Sequence, residues 1–460
     1  MTSSDANLHQ GTARRTSSDL VKAAVSGWLG TAMEFLDFQL YSLAAALVFT
    51  KLFFPETAPG IGIILAMATY GVGYGARLVG AFVFGRMGDR VGRRGVLFLT
   101  IAIMGAATTL IGVLPTYDQV GVLAPILLVT LRLVQGFGAG AEIAGATTML
   151  TEYAPPASRG LIGSLVALGT NTATLVATGL WALLVGVLDE DQLLSWGWRL
   201  PFLLSFLVMF LAVWVRSNLK ESPVFEDRPD VVDGKAISTQ ELRERADREG
   251  DHAASALLSQ RRGRAFFVAL ALRFGQAGNS GLIQTFLVAF LVNELGRAKS
   301  VPTNAILVSS AIGFVTVPLV GWLSDRWGRR RMYLAFLSAS VVLAVPAMWL
   351  IGAPATAGII VGIIVMHNVS VLALFSLESV TMAELFGARN RFTQLATAKE
   401  IGGILTTALG PVLAAVLTTV FHSWWPLAVM LLGYSVVGLV GAALMPEVAG
   451  RDMTRLEDAL

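Results

Sequence analysis

Two carboxylates, Glu34 and Asp37, stand three residues apart inside a long apolar run, with Tyr41 four residues further on. At about 100° per residue the three share one helix face. In a bilayer each such charge costs about 2.5–3.5 kcal/mol at the centre, so it needs a partner or a task. Desolvation strengthens a carboxylate's hold on a proton and a neighbouring arginine weakens it, so a carboxylate set between those pulls can load and release a proton. Asp37 is the candidate proton carrier, Glu34 its modulator and Arg132, in a later apolar run, the pairing partner. The competing reading is a static ion pair between the two runs.

Arg273, Gln276 and Asn279 repeat at intervals of three and form a polar stripe expected to line a central cavity rather than face lipid. The planar fork of Arg273 suits a substrate carboxylate. Tyr41, Asn171, His367 and Asn368 are further candidate solute contacts, although an intramembrane histidine is as often a packing hydrogen-bonder as a titrating group. Lys399 and Glu400 are adjacent, so they cannot face one direction. Lys399 turned to the cavity adds a second anion-attracting charge; the alternative is that one of the pair snorkels or pairs locally.

These residues need a membrane bundle to position them. Of the 460 residues 55% are hydrophobic and 14% charged, far below the quarter charged of a soluble domain. Spans of about 20 apolar residues are expected. Twelve can be placed, at 21–49, 60–84, 95–115, 122–150, 160–187, 199–216, 264–292, 303–322, 333–352, 356–382, 393–420 and 426–446. The first follows a polar leader (1–20) without a small-residue cleavage pattern and is expected to be retained. With both termini on one side, that side carries 26 of the 34 Lys and Arg and the other side three. The positive-inside rule then puts both termini in the cytoplasm of a plasma-membrane protein. The basic residues sit between apolar runs rather than on a polar face, which argues against nucleic acid. There is no cysteine, hence no disulfide, thiolate metal site or cysteine nucleophile.

A polar stretch, 217–263, separates six spans (21–216) from six (264–446), and a tail, 447–460, follows; the stretch reads as a cytoplasmic linker. Gly85-Arg-Met-Gly-Asp89-Arg90-Val-Gly92-Arg93-Arg94 follows the second span, and Gly321-Trp-Leu-Ser-Asp325-Arg326-Trp-Gly328-Arg329-Arg330 follows the eighth, 236 residues later. The shared pattern G-x-x-x-D-R-x-G-R-R at matched positions implies duplicated halves. Glycines there allow tight turns and close helix approach. The arginines anchor to headgroups and nearby acids, and each aspartate can cap a helix or pair with arginine, favouring one closed arrangement. Glu142, about 15 Å along a helix from Arg132, is expected to join Asp89, Glu152 and Arg159 in a charge network at that end, with Glu384 as a further gating candidate.

With these motifs in hand, the chain resembles the major facilitator superfamily and, more narrowly, the metabolite–proton symporter family. The segments carrying the likeness are Glu34-Phe-Leu-Asp37-Phe38-Gln-Leu-Tyr41, Arg77-Leu-Val-Gly80, Arg132-Leu-Val-Gln135-Gly136-Phe-Gly138-Ala-Gly140-Ala-Glu142, Trp198-Arg199-Leu-Pro201-Phe202 and Glu221-Ser222-Pro223-Val-Phe225. It departs from the family at Leu78 and Gly387, where proline is usual, and Lys399-Glu400 is unusual. The resemblance implies an all-α polytopic protein of twelve transmembrane helices in two six-helix halves around a central cavity, working by alternating access. It also implies that the loop motifs hold the outward-open state, and that Arg132 pairs with the membrane carboxylates.

The expected activity is proton-coupled symport of a small organic anion, a mono- or dicarboxylate or a hydroxylated cyclic acid. The expected partners are the solute, protons and the bilayer, with no metal or cofactor and one chain sufficing. A zwitterionic osmolyte is the alternative, although relatives of that kind carry a long charged C-terminal extension and this sequence ends at Leu460. A membrane sensor on the same scaffold is more remote. The stretches Gly71-Val-Gly-Tyr-Gly75 and Gly136-Phe-Gly-Ala-Gly140 do not complete G-x-G-x-x-G and read as close helix packing. No P-loop, H-E-x-x-H or G-x-S-x-G occurs, so an enzyme is not expected.

Overall fold

The computed structural model describes residues 17–44, 48–55, 59–91, 93–140, 142–217, 231–232, 235–236, 263–287, 290–291, 295–298, 300–421, 423–455 and 457–460. In hydrocarbon every backbone N–H and C=O must be satisfied within its own segment, so apolar runs of this length fold as helices. Among the described residues twelve long helices result. In the first half they are α1 (Ser17–Ala44), α2 (Pro59–Val91), α3 (Arg93–Ile111), α4 (Leu123–Ala139), α5 (Arg159–Val187) and α6 (Leu200–Ser217). A second helical piece, Glu142–Tyr153, follows α4.

The second half begins with α7 (Arg264–Ser280), α8 (Ser300–Trp327) and α9 (Arg329–Gly352), and ends with α12 (Trp425–Leu444). Between them, α10 (Thr356–Leu385) and α11 (391–421) each contain a π-helical stretch, at His367–Leu372 and Ile404–Ala408. A third follows α7, at Gly281–Phe286. Such wide turns interrupt the i→i−4 ladder and are frequent at functional sites. Six of the described helices are by length and apolar content alone sufficient to cross a bilayer. Within 217–263 the described residues include one two-residue antiparallel pair, Val231–Val232 with Lys235–Ala236.

The duplication read from the loop motifs recurs in the packing. In the first half α1 packs on α5 and α6, α2 on α4, and α3 on α6; in the second α7 packs on α11 and α12, α8 on α10, and α9 on α12. The glycine-dense stretches are where α2 and α4 interlock. A Cβ on Gly80 would collide with the Phe137 carbonyl, and one on Gly136 with the Gly73 carbonyl, so only glycine lets these backbones approach.

The halves meet where α5 packs on α8 and α10, where α2 packs on α11, and where Glu142–Tyr153 packs on α10 and α11. The largest apolar cluster spans both halves at the end bearing the repeated loops: Ala81, Phe84 and Val96 from the first, and Leu385, Phe386, Phe392 and Leu395 from the second. Toward the opposite end each half has its own core, one around Phe49, Trp198 and Phe202, the other around Phe290, Met348 and Leu431. The molecule is therefore closed at the motif end. The final residues belong to that closure, with Val448 and Met453 buried in the shared cluster.

Candidate charge networks and gate

Asp37 and Arg132 come together as the sequence predicts. An Arg132 Nη1 lies 3.7 Å from Asp37 Oδ2, and both side chains are nearly inaccessible. Gln135, one helical turn beyond Arg132, accepts from it at 2.5 Å and donates to Asp37, while Thr108 of α3 donates to the same carboxylate oxygen at 2.6 Å. The Arg132 guanidinium also lies over Tyr41 and Phe38, 4.3 and 4.7 Å from their ring centroids. Tyr41 is hydrogen-bonded to Thr69 of α2. Asp37 thus keeps a loose ion pair and two neutral donors. That environment can hold either protonation state more evenly than a bidentate arginine would.

Glu34, the expected modulator, pairs with Arg77 of α2 at 2.6 Å. Arg77 in turn makes two 2.7 Å bonds to Glu400 of α11, in the other half. Of the alternatives for Lys399 and Glu400, the structure shows pairing. Neither snorkels: both are buried, Glu400 on Arg77 and Lys399 on Glu378 of α10 at 2.8 Å. Adjacent helix positions point about 100° apart, and α11 is flanked on both sides by charged helices, so each side chain finds an opposite charge.

Glu378, absent from the sequence-predicted set, holds the second half's cations together. Both of its oxygens lie 3.2 Å from Arg273 Nη1, and one also receives Lys399. A buried acid in the middle of α10 was visible as an intramembrane charge; its partners were not. Gln276 accepts from Arg273 at 2.7 Å. Asn279 departs from the expected stripe and donates to Ser435 of α12, fully buried. A step of three residues falls about 60° short of a full turn, so the third member has rotated off the face.

His367 is held on both ring nitrogens, by Gln284 and Ser309 at 2.7 Å each, which is the packing role. Asn368 bonds Ser309 and Thr316 at 2.8 Å, bracing α10 on α8. Asn171 is buried on α5 against Gly313 of α8. Across the core, four acids (Glu34, Asp37, Glu378, Glu400) face four bases (Arg77, Arg132, Arg273, Lys399). The balance is uneven in space: one guanidinium serves two carboxylates between the halves, while two cations share one carboxylate on α10. Of the four bases Arg273 is the most accessible, its side chain 12% exposed against 5% or less for the others.

At the motif end the two loops make equivalent cross-half contacts. Asp89 accepts from Thr393 N at 2.9 Å, Thr393 Oγ1 at 2.6 Å and Phe392 N at 3.3 Å, so it caps α11. Asp325 accepts from Gly160 N at 2.6 Å and Leu161 N at 2.9 Å, capping α5, and pairs with Arg329 at 2.9 Å. Carboxylates at helix N-termini satisfy free N–H groups and the positive end of the dipole. Gly85 and Gly321 permit the approach: a Cβ on Gly85 would press on Thr393, and one on Gly321 on Gly160 and Ser164.

The expected network of Asp89, Glu142, Glu152 and Arg159 is redistributed across the halves. Arg159 pairs with Glu384 at 3.0 Å, which also takes Arg329 at 3.0 Å, and Glu152 pairs with Arg391 at 2.7 Å. The chain doubles back only in three dimensions, so partners within one half were the nearest that a sequence could offer. Arg90 and Arg326 are exposed, Arg326 stacked 3.9 Å from the Trp322 ring centroid. The side chains of Arg93 and Glu142 lie outside the described residues. The final segment threads into this layer: Arg159 donates to the Arg451 carbonyl at 2.9 Å and Arg391 to the Met453 carbonyl at 2.8 Å. Among the described residues no group of three His, Asp or Glu could hold a metal.

Known proteins share this arrangement. Residues 27–405 match the sequence profile of the Major Facilitator Superfamily. The chain is 55% identical to YdfJ of Escherichia coli K12, whose name proposes a transporter, over 92% of this chain and 96% of that protein. It is 33% identical to the shikimate transporter of the same strain, covering 93% of this chain and 94% of that one. It is 31% identical to the E. coli K12 proline/betaine transporter, over 94% of this chain and 85% of the relative. The solved proton:xylose symporter XylE, bound to 6-bromo-6-deoxy-D-glucose, superimposes with a TM-score of 0.78 at 16% identity, covering 96% and 98% of the two chains. Two of these relatives are named as transporters of small molecules, and the fold is the twelve-helix, two-half membrane bundle. The chain is a member of the Major Facilitator Superfamily and a membrane transporter of that type.

Proposed function

We propose that this transporter is a proton-coupled symporter of a small organic anion, a mono- or dicarboxylate or a hydroxylated cyclic acid. One observation carries the anion: Arg273 and Lys399 share the single carboxylate of Glu378, and Arg273 is the accessible member. A solute carboxylate reaching Arg273 meets a local excess of positive charge and a fork able to take it bidentately. Gln276, already bonded to Arg273, positions that fork. Among the relatives, the one named for an acid is the shikimate transporter, similar over almost the whole chain.

Asp37 carries the proton in this reading, balanced by Arg132 and the donors Gln135 and Thr108. Residues 21–216 and 264–446 are the moving halves, joined by the linker 217–263. The leader 1–20, the tail 447–460 and the motif end lie in the cytoplasm, as the Lys and Arg distribution supports. Asp89 and Asp325 latch that end shut, giving an outward-facing resting state, and one chain suffices for the cycle.

In proteoliposomes Asp37→Asn abolishes pH-gradient-driven accumulation of labelled shikimate but spares solute exchange. Retained uphill uptake would reject Asp37 as the carrier. The second reading, a zwitterionic osmolyte, draws on the proline/betaine relative and on the equal number of buried acids and bases. Competition of unlabelled shikimate and glycine betaine for binding, read by thermal shift, decides between them.

A further inference from the structure

We infer that Glu400 is a second protonated carboxylate of the transport cycle, and that its bond to Arg77 ties proton uptake to opening of the cytoplasmic end. This rests on the proton-symport reading above and adds a site to it. Arg77 lies on α2 and Glu400 on α11, so their paired 2.7 Å bonds clamp one half to the other. Arg77 also pairs with Glu34 on α1, within its own half, at 2.6 Å. Phe38 and Tyr74 enclose the guanidinium, 4.9 and 5.5 Å from their ring centroids. One guanidinium therefore serves two carboxylates, and all three side chains are 6% exposed or less.

The same helix pair is latched nearer the cytoplasm, where Asp89 caps the first turn of α11. Asp89 is twelve residues from Arg77, about 18 Å along α2, and Thr393 is seven residues from Glu400, about 10 Å along α11. Opening the cytoplasmic end must carry Thr393 away from Asp89 and so shears the clamp as well. Arg77 keeps Glu34, and Glu400 loses both of its 2.7 Å bonds. Lys399 and Arg273, the neighbouring bases on α11 and α7, are engaged by Glu378 of α10. Of the other charged groups nearby, Arg132 of α4 lies over the same Phe38 ring and pairs with Asp37, and Arg391 is held by Glu152. Arg86 and Arg90 lie further along α2 and Arg264 at the start of α7, and Glu34, Asp37 and Tyr74 carry no positive charge.

A carboxylate left buried without its partner is strongly unfavourable. A proton delivered from outside to a Glu400 oxygen removes the charge, Arg77 remains ionised on Glu34, and the clamp opens. The proton departs to the cytoplasm once that side is wet, and the re-ionised Glu400 takes back Arg77 as the end closes.

The chain has no cysteine, so Val380→Cys is a single reporter. Val380 of α10 is buried against Gly163 of α5, in the closed interface. Maleimide labelling in inside-out vesicles, without solute and normalised at each pH to the unfolded chain, reads cytoplasmic opening. The reporter should label faster at pH 6 than at pH 8. Glu400→Gln should label about tenfold faster at pH 8 and lose the pH dependence. Glu34→Gln, which leaves Arg77 wholly to Glu400, should label more slowly than the parent.

A reporter indifferent to pH overturns the proposal, as does Glu400→Gln labelling no faster than the parent. Should Glu400→Gln fail to reach the membrane, the sign for Glu34→Gln decides, and faster labelling there refutes the clamp. Asp37→Asn in the same background separates the two carboxylates. If it alone removes the pH dependence, Glu400 falls and Asp37 stands; if neither variant alters it, both fall.

Discussion

Asp89→Asn tests the proposed latch most directly, because the Asp89 contacts with α11 join the two halves at the closed motif end. The carboxylate takes two backbone N–H groups and the Thr393 hydroxyl, at 2.6–3.3 Å, and is 5% exposed. Asparagine keeps one accepting oxygen for Thr393 N but presents an amide N–H₂ to the remaining donors, and the charge facing the α11 dipole is lost. Hydrogen bonds to a charged group contribute about 1.5–3 kcal/mol net. If one such interaction is lost from the closed state alone, the closed-to-open ratio falls about 10- to 150-fold. Folding of each half is untouched, because the bond joins two already formed helices. Spin labels at Val91 and Trp327, both 60% exposed and on opposite halves, report the gap by pulsed dipolar spectroscopy. The expected result is a new long-distance population at normal membrane abundance, with an altered transport rate. An unchanged distance distribution together with unchanged transport would refute the latch, and with it the reading that the repeated aspartates are conformational rather than topological.

Three further expectations follow from the geometry. Removing residues 447–460 takes away the bonds from Arg159 and Arg391 and the buried Val448 and Met453. The same spectroscopy should show a shift toward opening, and the melting temperature should fall by several degrees. Gly80→Leu places a side chain against the Phe137 carbonyl. Overpacking of this kind costs about 1–3 kcal/mol, read as lost thermal stability in detergent, whereas Gly75→Leu, with open space at its Cβ, should be tolerated. Asn279→Ala removes a bond to α12 and should lower stability by about 1 kcal/mol while leaving KM unchanged; a raised KM would return Asn279 to the solute site.

The sequence carried the scaffold because membrane helices obey a local rule: an apolar run of sufficient length has no other way to satisfy its backbone. The apolar runs, the recurrence of G-x-x-x-D-R-x-G-R-R and the polar stretch between the sixes were therefore legible from residue order alone. So was the Asp37–Arg132 pair, since both charges had to turn inward. His367, left open between packing and titration, proved to be bonded on both nitrogens.

Beyond the Asp37–Arg132 pair, which charge meets which was not in the sequence, because partners are chosen between helices far apart along the chain. Glu34 and Arg132 share an apolar neighbourhood in the first half, yet Glu34 takes Arg77. Asp89 and Asp325 look like local loop caps, yet each caps a helix of the other half. Lys399 and Glu400 look like one odd pair, yet they belong to two networks. Residue types and helical period decided that these charges lie inside the bundle. Only the docking of one half on the other decided their pairing, since a buried charge is stabilised by whatever opposite charge the packed helices bring within about 3–4 Å, regardless of distance along the chain.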